Sequence, residues 1–195
     1  MQINKTKLDG VFIIEPKVFG DDRGYFVETF REDIFEKAIG HKVNFIQDNE
    51  SKSSYGVLRG LHYQLPPFSQ SKLVRVIEGS VLDVAVDIRK GSLTYGEYIA
   101  VELSSENKKQ LFVPRGFAHG FLVTSKTAIF AYKVDNYYAP EFDRGILFDD
   151  PQINIDWQIK KEDLLLSQKD KDQPLFNKAE VFDFSENLYS ECERV

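Results

Sequence analysis

The chain has 195 residues, 42% of them hydrophobic, which suits one domain with a sizeable core and is too apolar for a disordered segment. The formal net charge of -6 argues against a nucleic-acid partner, although a local cationic pocket remains compatible with it. The single Cys192 excludes a disulfide framework and a Cys-based zinc site, and the opening MQINKTKLDG lacks an apolar signal core. With no apolar run of membrane-spanning length, the expectation is a cytoplasmic protein in a reducing compartment, without a membrane partner.

In chain order, Val11 to Val18 reads as a strand interrupted at Pro16. The cluster Gly20-Asp21-Asp22-Arg23-Gly24 is a turn, and Tyr25 to Phe30 is a second strand. Arg31 to Ile39 carries Ile34, Phe35 and Ala38 at helical spacing and stops at Gly40. Val43 to Gln47 is a short strand candidate, and the polar run Asp48 to Ser54 reads as a loop. Strands are then expected over Gly56 to Gln64, Lys72 to Ile77, Ser80 to Ile88, Gly96 to Leu103, Gln110 to Val113, Ala118 to Val123 and Ala128 to Val134. Many short strands, with 16 Phe and 9 Tyr, point to an all-β sandwich or barrel. Lys161 to Gln168 reads as helical, and the acidic end Glu180 to Val195 as peripheral.

Within this frame the stretch Gly56 to Gln64, GVLRGLHYQ, carries chemistry-bearing residues on a buried strand. On a regular strand Leu58, Gly60, His62 and Gln64 share one face, and Arg59 and Leu61 take the other. Arg59 and His62 meet only if the strand breaks register, and Gly60 between them is suited to a bulge. A second His, His119, sits in Pro114-Arg115-Gly116-Phe117-Ala118-His119-Gly120-Phe121, whereas His41 follows Gly40 in a loop. The two stretches around His62 and His119 resemble the paired motifs of the cupin superfamily. Gln64 stands two after His62 and no Glu follows at the expected place, so a metal site is not expected.

The resemblance narrows with more of the chain. Phe19-Gly20-Asp21-Asp22-Arg23-Gly24-Tyr25-Phe26-Val27-Glu28, Gln47-Asp48-Asn49-Glu50-Ser51, the GVLRGLHYQ stretch, Asp83-Val84-Ala85-Val86-Asp87-Ile88-Arg89, Gly116 to Phe121, Tyr132-Lys133 and Leu166-Ser167-Gln168-Lys169-Asp170 follow in order. Together they resemble the dTDP-4-dehydrorhamnose 3,5-epimerase family. That implies a cupin-type jelly-roll barrel, an N-terminal strand–helix arm and short C-terminal helices, in one domain over residues 1–195. It implies epimerisation at C3 and C5 of a dTDP-4-keto-6-deoxy sugar nucleotide without a cofactor, for cell-surface polysaccharide. No glycine-rich phosphate loop precedes a helix, in keeping with no redox cofactor.

Inverting carbons beside a ketone needs a base on one face, an acid on the other and a cation at the ketone oxygen. His62 suits the base, since an imidazole titrates near neutral pH. The resemblance implies Asp170 as its partner and Tyr132 as the acid, and Lys72 is placed to stabilise an enolate. It also implies Arg23 and Glu28 reaching the partner subunit's substrate in an arm-exchanged homodimer, and Tyr138 as a platform for thymine. Gln47 and Asn49 offer amide contacts, and Arg23, Arg59, Lys72 and Lys169 are the candidates for positive charge at the diphosphate, Arg being favoured for paired phosphate oxygens. His119 completes the substrate-contacting set, or Asp83 serves as structural support in a buried pair with either His119 or Lys72. Asp143 stands where the family usually has Glu, which shortens one substrate contact. A C3-only epimerase, and a non-catalytic or metal-dependent cupin, are the alternative readings.

Overall fold

The computed structural model describes residues 1–190; Cys192 and the last part of the acidic end lie outside the described residues. The strands are β1 (Gln2–Lys5), β2 (Phe12–Glu15), β3 (Val18–Asp21), β4 (Gly24–Val27), β5 (Gln47–Ser54), β6 (Leu58–Gln64), β7 (Lys72–Glu78) and β8 (Ser80–Asp87). They continue as β9 (Arg89–Lys90), β10 (Tyr98–Ser104), β11 (Gln110–Val113), β12 (Phe117–Val123), β13 (Thr127–Val134), β14 (Asp143–Gly145) and β15 (Phe182–Asp183). Two α-helices are present among the described residues, α1 (Glu32–Ile39) and α2 (Gln168–Lys171). No helix is long and apolar enough to cross a membrane among the described residues.

A six-stranded sheet in the order β1-β2-β11-β7-β13-β5 faces a five-stranded sheet in the order β10-β8-β12-β6-β14, as in a jelly roll. Alternation along the strands divides the apolar residues among three clusters. Val81 and Ala85 on β8, Val74 and Val76 on β7, and Phe121 and Phe130 fill the space between the sheets. Leu82, Val84 and Val86 point the other way, against Ile146, Phe148, Trp157 and Phe176 of the C-terminal segment. Phe12, Leu73 and Phe112 pack outside the six-stranded sheet against Phe35 of α1. The Phe35 and Phe112 rings meet edge to face at 5.0 Å. Helix α1 ends at Gly40, whose φ of 86° is the left-handed stop expected there. Its buried stripe runs through Phe35 and Ile39, and Ala38 is exposed.

Three expectations are corrected. Residues 48–54 form a strand, not a loop, because β5 pairs along its whole length with β13, from Gln47 opposite Val134 to Ser54 opposite Thr127. As the sheet's edge strand it tolerates a polar sequence that would be disfavoured centrally; the ladder does not begin at Val43. Leu164 to Leu166 is extended, not helical: Leu165 forms a parallel bridge to Val57, while Leu164 and Leu166 pack on the core. Only Lys161–Asp163, a single 3₁₀ turn, and α2 are helical there. The C-terminal segment through residue 190 is not peripheral, since Phe182 is buried and β15 pairs with β9.

The hairpin β3–β4 is the N-terminal arm. Val18, Phe19, Tyr25 and Phe26 on it are all exposed. Within one chain its main attachment is the Lys108 ammonium, 4.2 Å above the Tyr25 ring and 2.9 Å from its hydroxyl.

Candidate active site

The site is built around an irregularity in β6. His62 lies opposite His119 on β12, but Arg59 lies opposite Phe121, so Gly60 and Leu61 together face Gly120 alone. This bulge adds one residue and reverses the alternation. Arg59 and His62 therefore both point between the sheets, while Leu58, Leu61 and Tyr63 point out into the C-terminal cluster. Gly60 has φ 126°, and a Cβ there would fall 2.5 Å from the Gly120 Cα. Any side chain is excluded by both conformation and space. The sequence placed the bulge correctly at Gly60; the regular-strand grouping of His62 with Leu58 is what the structure corrects.

Arg59, His62 and His119 from one sheet and Lys72 and Tyr132 from the other line a cavity of about 320 Å³, which Lys169 and Asp170 of α2 also border. Position follows from strand parity: Lys72 shares its inward face with Val74 and Val76, and Tyr132 shares its face with Ala128 and Phe130. His62 and Tyr132 thus approach the cavity from facing sheets.

Behind His62 sits Asp170, 3% exposed, with Oδ1 2.7 Å from the imidazole Nε2. The carboxylate lies off the direction of an aligned N–H bond, so the contact is an ion-pair approach, and Nδ1 is the nitrogen left for substrate. The Gly60 N–H donates to Asp170 Oδ1 at 3.2 Å and the Ser167 hydroxyl to Oδ2 at 2.6 Å. Burial alone would raise the Asp170 pKa, but the His62 imidazole in close contact and the hydrogen bonds from Ser167 and Gly60 outweigh it and hold the carboxyl below its ordinary value. Asp170 is therefore an anion facing the imidazole and not a solvated surface charge.

Burial pushes the Lys72 ammonium down to about 8, although Asp143 and Asp83 favour its charge. Its Nζ donates to the His62 carbonyl oxygen at 3.3 Å. Burial raises the Tyr132 phenol above its ordinary value, with Arg59 opposing and Asp143 reinforcing the effect. The phenol therefore keeps its proton at neutral pH. His119 Nε2 lies 3.0 Å and 3.1 Å from the two Asp83 oxygens, and both residues are buried. This is the supporting pair that the sequence allowed, and it leaves His62 as the imidazole open to the cavity. Gln64 has no amide group to spare: it donates to the Phe68 and Tyr137 carbonyls and accepts from the Ala139 N–H. Among the described residues, no group of three or more His, Cys, Asp or Glu is placed to hold a metal.

The remaining candidates fall into two groups. Tyr138, Asp143 and Lys169 form one cluster, with the Tyr138 hydroxyl 3.2 Å from Asp143 Oδ2 and Lys169 bonded to the same oxygen. The exposed Tyr138 ring stands beside the cavity mouth formed in part by Lys169. On β5, Asn49 lies opposite Tyr132, and the Gln47 amide donates to Asn49 at 2.9 Å. Arg23 and Glu28 are not brought to this cavity within one chain. Arg23 is exposed and turned back on Asp21, 2.5 Å away.

Residues the sequence reading passed over hold the site in place. Ser53 lies 3.4 Å from the Arg59 guanidinium, and Ser167 caps α2 by accepting from the Asp170 N–H at 3.1 Å. Ser167-Gln168-Lys169-Asp170 has the spacing of a capping box, which was the available signal for Ser167. For Ser53 no signal existed before the β5 pairing was known.

A family model described as dTDP-4-dehydrorhamnose 3,5-epimerase matches residues 5–178. An epimerase of that name from Shigella flexneri is 54% identical over 182 residues, covering 93% of this chain and 99% of the relative. The crystal structure of such an epimerase from Elizabethkingia anophelis has a TM-score of 0.88 at 52% identity, over 91% of this chain and 97% of that one. A dTDP-6-deoxy-D-glucose-3,5-epimerase from Legionella pneumophila, solved with dTDP-4-keto-L-rhamnose, has a TM-score of 0.91 at 47% identity, covering 95% and 99%.

Proposed function

The chain belongs to the dTDP-4-dehydrorhamnose 3,5-epimerase family, and from that membership we infer how its cavity works. It is an isomerase that converts dTDP-4-dehydro-6-deoxy-D-glucose to dTDP-4-dehydro-L-rhamnose in dTDP-rhamnose biosynthesis. The observation that carries the residue assignment is the placement of His62, backed by an anion, and Tyr132, protonated, on facing walls of one cavity.

His62 Nδ1 takes the proton from the carbon beside the ketone, and the electron pair moves onto the ketone oxygen as an enolate. Asp170 stabilises the imidazolium, and the Lys72 ammonium stabilises the enolate. Tyr132 returns a proton to the opposite face, which inverts the carbon. Exchange of both groups with solvent resets them for the second carbon. Deuterated solvent should leave label at both C3 and C5 of the product, read by mass spectrometry. Label at one carbon only would assign the chain to the C3-only reaction.

Lys72 must be charged to hold an enolate, and its ammonium is lost as pH rises through about 8. The kcat profile should therefore fall above that pH, and Lys72→Arg, which stays protonated, should lose this limb. An alkaline limb unchanged in Lys72→Arg would remove Lys72 from the enolate site.

The arm supports a homodimer. Its apolar hairpin is exposed in one chain, and Arg23 does not reach its own His62. In the reading that fits, the hairpin covers the partner subunit and delivers Arg23 and Glu28 to the other substrate. Arg23→Ala should weaken substrate binding and leave the fold intact. Mixed with inactive His62→Ala, it should regain up to about a quarter of wild-type activity, because a mixed dimer holds one complete site. Subunit exchange verified by mass spectrometry without any recovery would place Arg23 within its own chain's function.

A further inference from the structure

The C-terminal segment beyond residue 178 lies past the region the family model matches, yet it is tied to the strands that carry the site. The Tyr63 hydroxyl, on the outward side of β6 next to His62, donates to the Glu180 carbonyl. The Arg144 guanidinium, opposite Tyr63 on β14, pairs with Glu180 at 2.6 Å. Phe182 is buried in the outer cluster, and Arg89 sits 5.2 Å over the Phe184 ring. The segment then crosses to the start of β7. There the Tyr189 hydroxyl lies 2.9 Å from the Ser71 hydroxyl and 3.3 Å from the Arg115 N–H. The Tyr189 ring lies 4.7 Å from that of His41 and 5.1 Å under the Arg115 guanidinium. Ser71 is fully buried, and its N–H donates to Asp135, which pairs with Arg115.

These contacts converge on one residue boundary. Ser71 immediately precedes Lys72, so whatever fixes Ser71 fixes the backbone from which the Lys72 side chain enters the cavity. The Ser71 hydroxyl is held by Tyr189 and, with the Ser71 N–H, by Asp135. We propose that Tyr189 is a positioning residue: through Ser71 it holds the start of β7 so that Lys72 is delivered into the cavity at the depth its role requires.

The charges acting on Lys72 come from Asp83 on β8, Asp143 on β14 and Lys169 on α2, and Glu50 on β5, Arg59 and His62 on β6, His119 on β12, Tyr132 on β13 and Asp170 on α2 line the same cavity. None of them is bonded to Tyr189 or stacked on it, so a change in Lys72 on altering Tyr189 passes through Ser71 and the Asp135–Arg115 pair that holds it, and Ser71→Ala isolates the Ser71 share. Loosening that point admits water to the ammonium and relieves the burial that depresses its pKa.

The proposal rests on the enolate role of Lys72 only for its effect on rate, so the test reads Lys72 directly as well. Tyr189→Phe keeps the ring against His41 and Arg115 and deletes the hydroxyl. Ser71→Ala deletes the partner. In each variant the pH dependence of Lys72 acetylation by acetic anhydride, followed by peptide mass spectrometry, should move upward from about 8 towards the ordinary 10.5. The kcat should fall about fivefold with KM within about twofold, and the double variant should match either single one. A Lys72 titration unchanged in both folded variants, or effects that add in the double variant, would overturn the positioning role. A moved titration with unchanged kcat would instead keep Tyr189 as a positioner and remove Lys72 from the mechanism.

Discussion

His62→Asn should lower turnover by about 10²–10⁴-fold, the usual cost of losing a general base, while nucleotide binding changes little. The size of the effect follows from the geometry around the other imidazole. His119 is within 3.1 Å of both Asp83 oxygens and buried, so it is committed and cannot substitute. Asn preserves a side chain of similar polarity beside Asp170, which limits the structural disturbance. The carboxylate keeps the Ser167 and Gly60 donors as well. Stopped assays with a downstream reductase measure turnover, and calorimetry with dTDP measures binding. Activity within a few-fold of the wild type would remove His62 as the base.

Tyr132→Phe should separate two rates that run together in the wild type. The variant keeps the ring packed 6.0 Å from Phe130 and loses only the hydroxyl. His62 can still remove the substrate proton and return a solvent deuteron to the same face. Deuterium exchange into substrate should therefore persist, while epimerised product falls by about 10²-fold or more, the scale of a lost general acid. Nuclear magnetic resonance of recovered substrate and product in deuterated buffer reads both. If exchange and epimerisation fall in one ratio, Tyr132 positions substrate and does not protonate the second face; Tyr138, beside the cavity mouth, would then be the next hydroxyl to delete.

The sequence made the site legible wherever function is written into local pattern. The glycine within Arg59-Gly60-Leu61-His62 announced the bulge, and the His119 stretch read as a strand, which is the neighbour of β6 in its sheet. It failed where long-range pairing decides. The polar run of β5 is a strand only because β13 offers it a ladder. The three leucines before Ser167 look helical until Leu165 pairs with Val57. Acidic composition at the C-terminus suggested a solvated tail, but Phe182 and Tyr189 anchor it among buried partners. Arg23 illustrates a different limit: its role, as resemblance frames it, needs a second chain, which no single-chain pattern can display.

The bulge in β6 makes residue count a catalytic determinant. Because one extra residue separates Arg59 from His62, orientation on this strand works like a reading frame. Smoothing the bulge with all of its residues kept would slip the strand by one residue against β12 and put Arg59 and His62, three positions apart, on opposite sides of the sheet. One of them would enter the apolar layer with Leu58 and Tyr63, and the other alone would face the cavity. The Gly60 N–H that holds Asp170 would be displaced in the same event. The irregularity is therefore what the chemistry depends on: a flawless ladder through these same residues would separate the guanidinium from the imidazole.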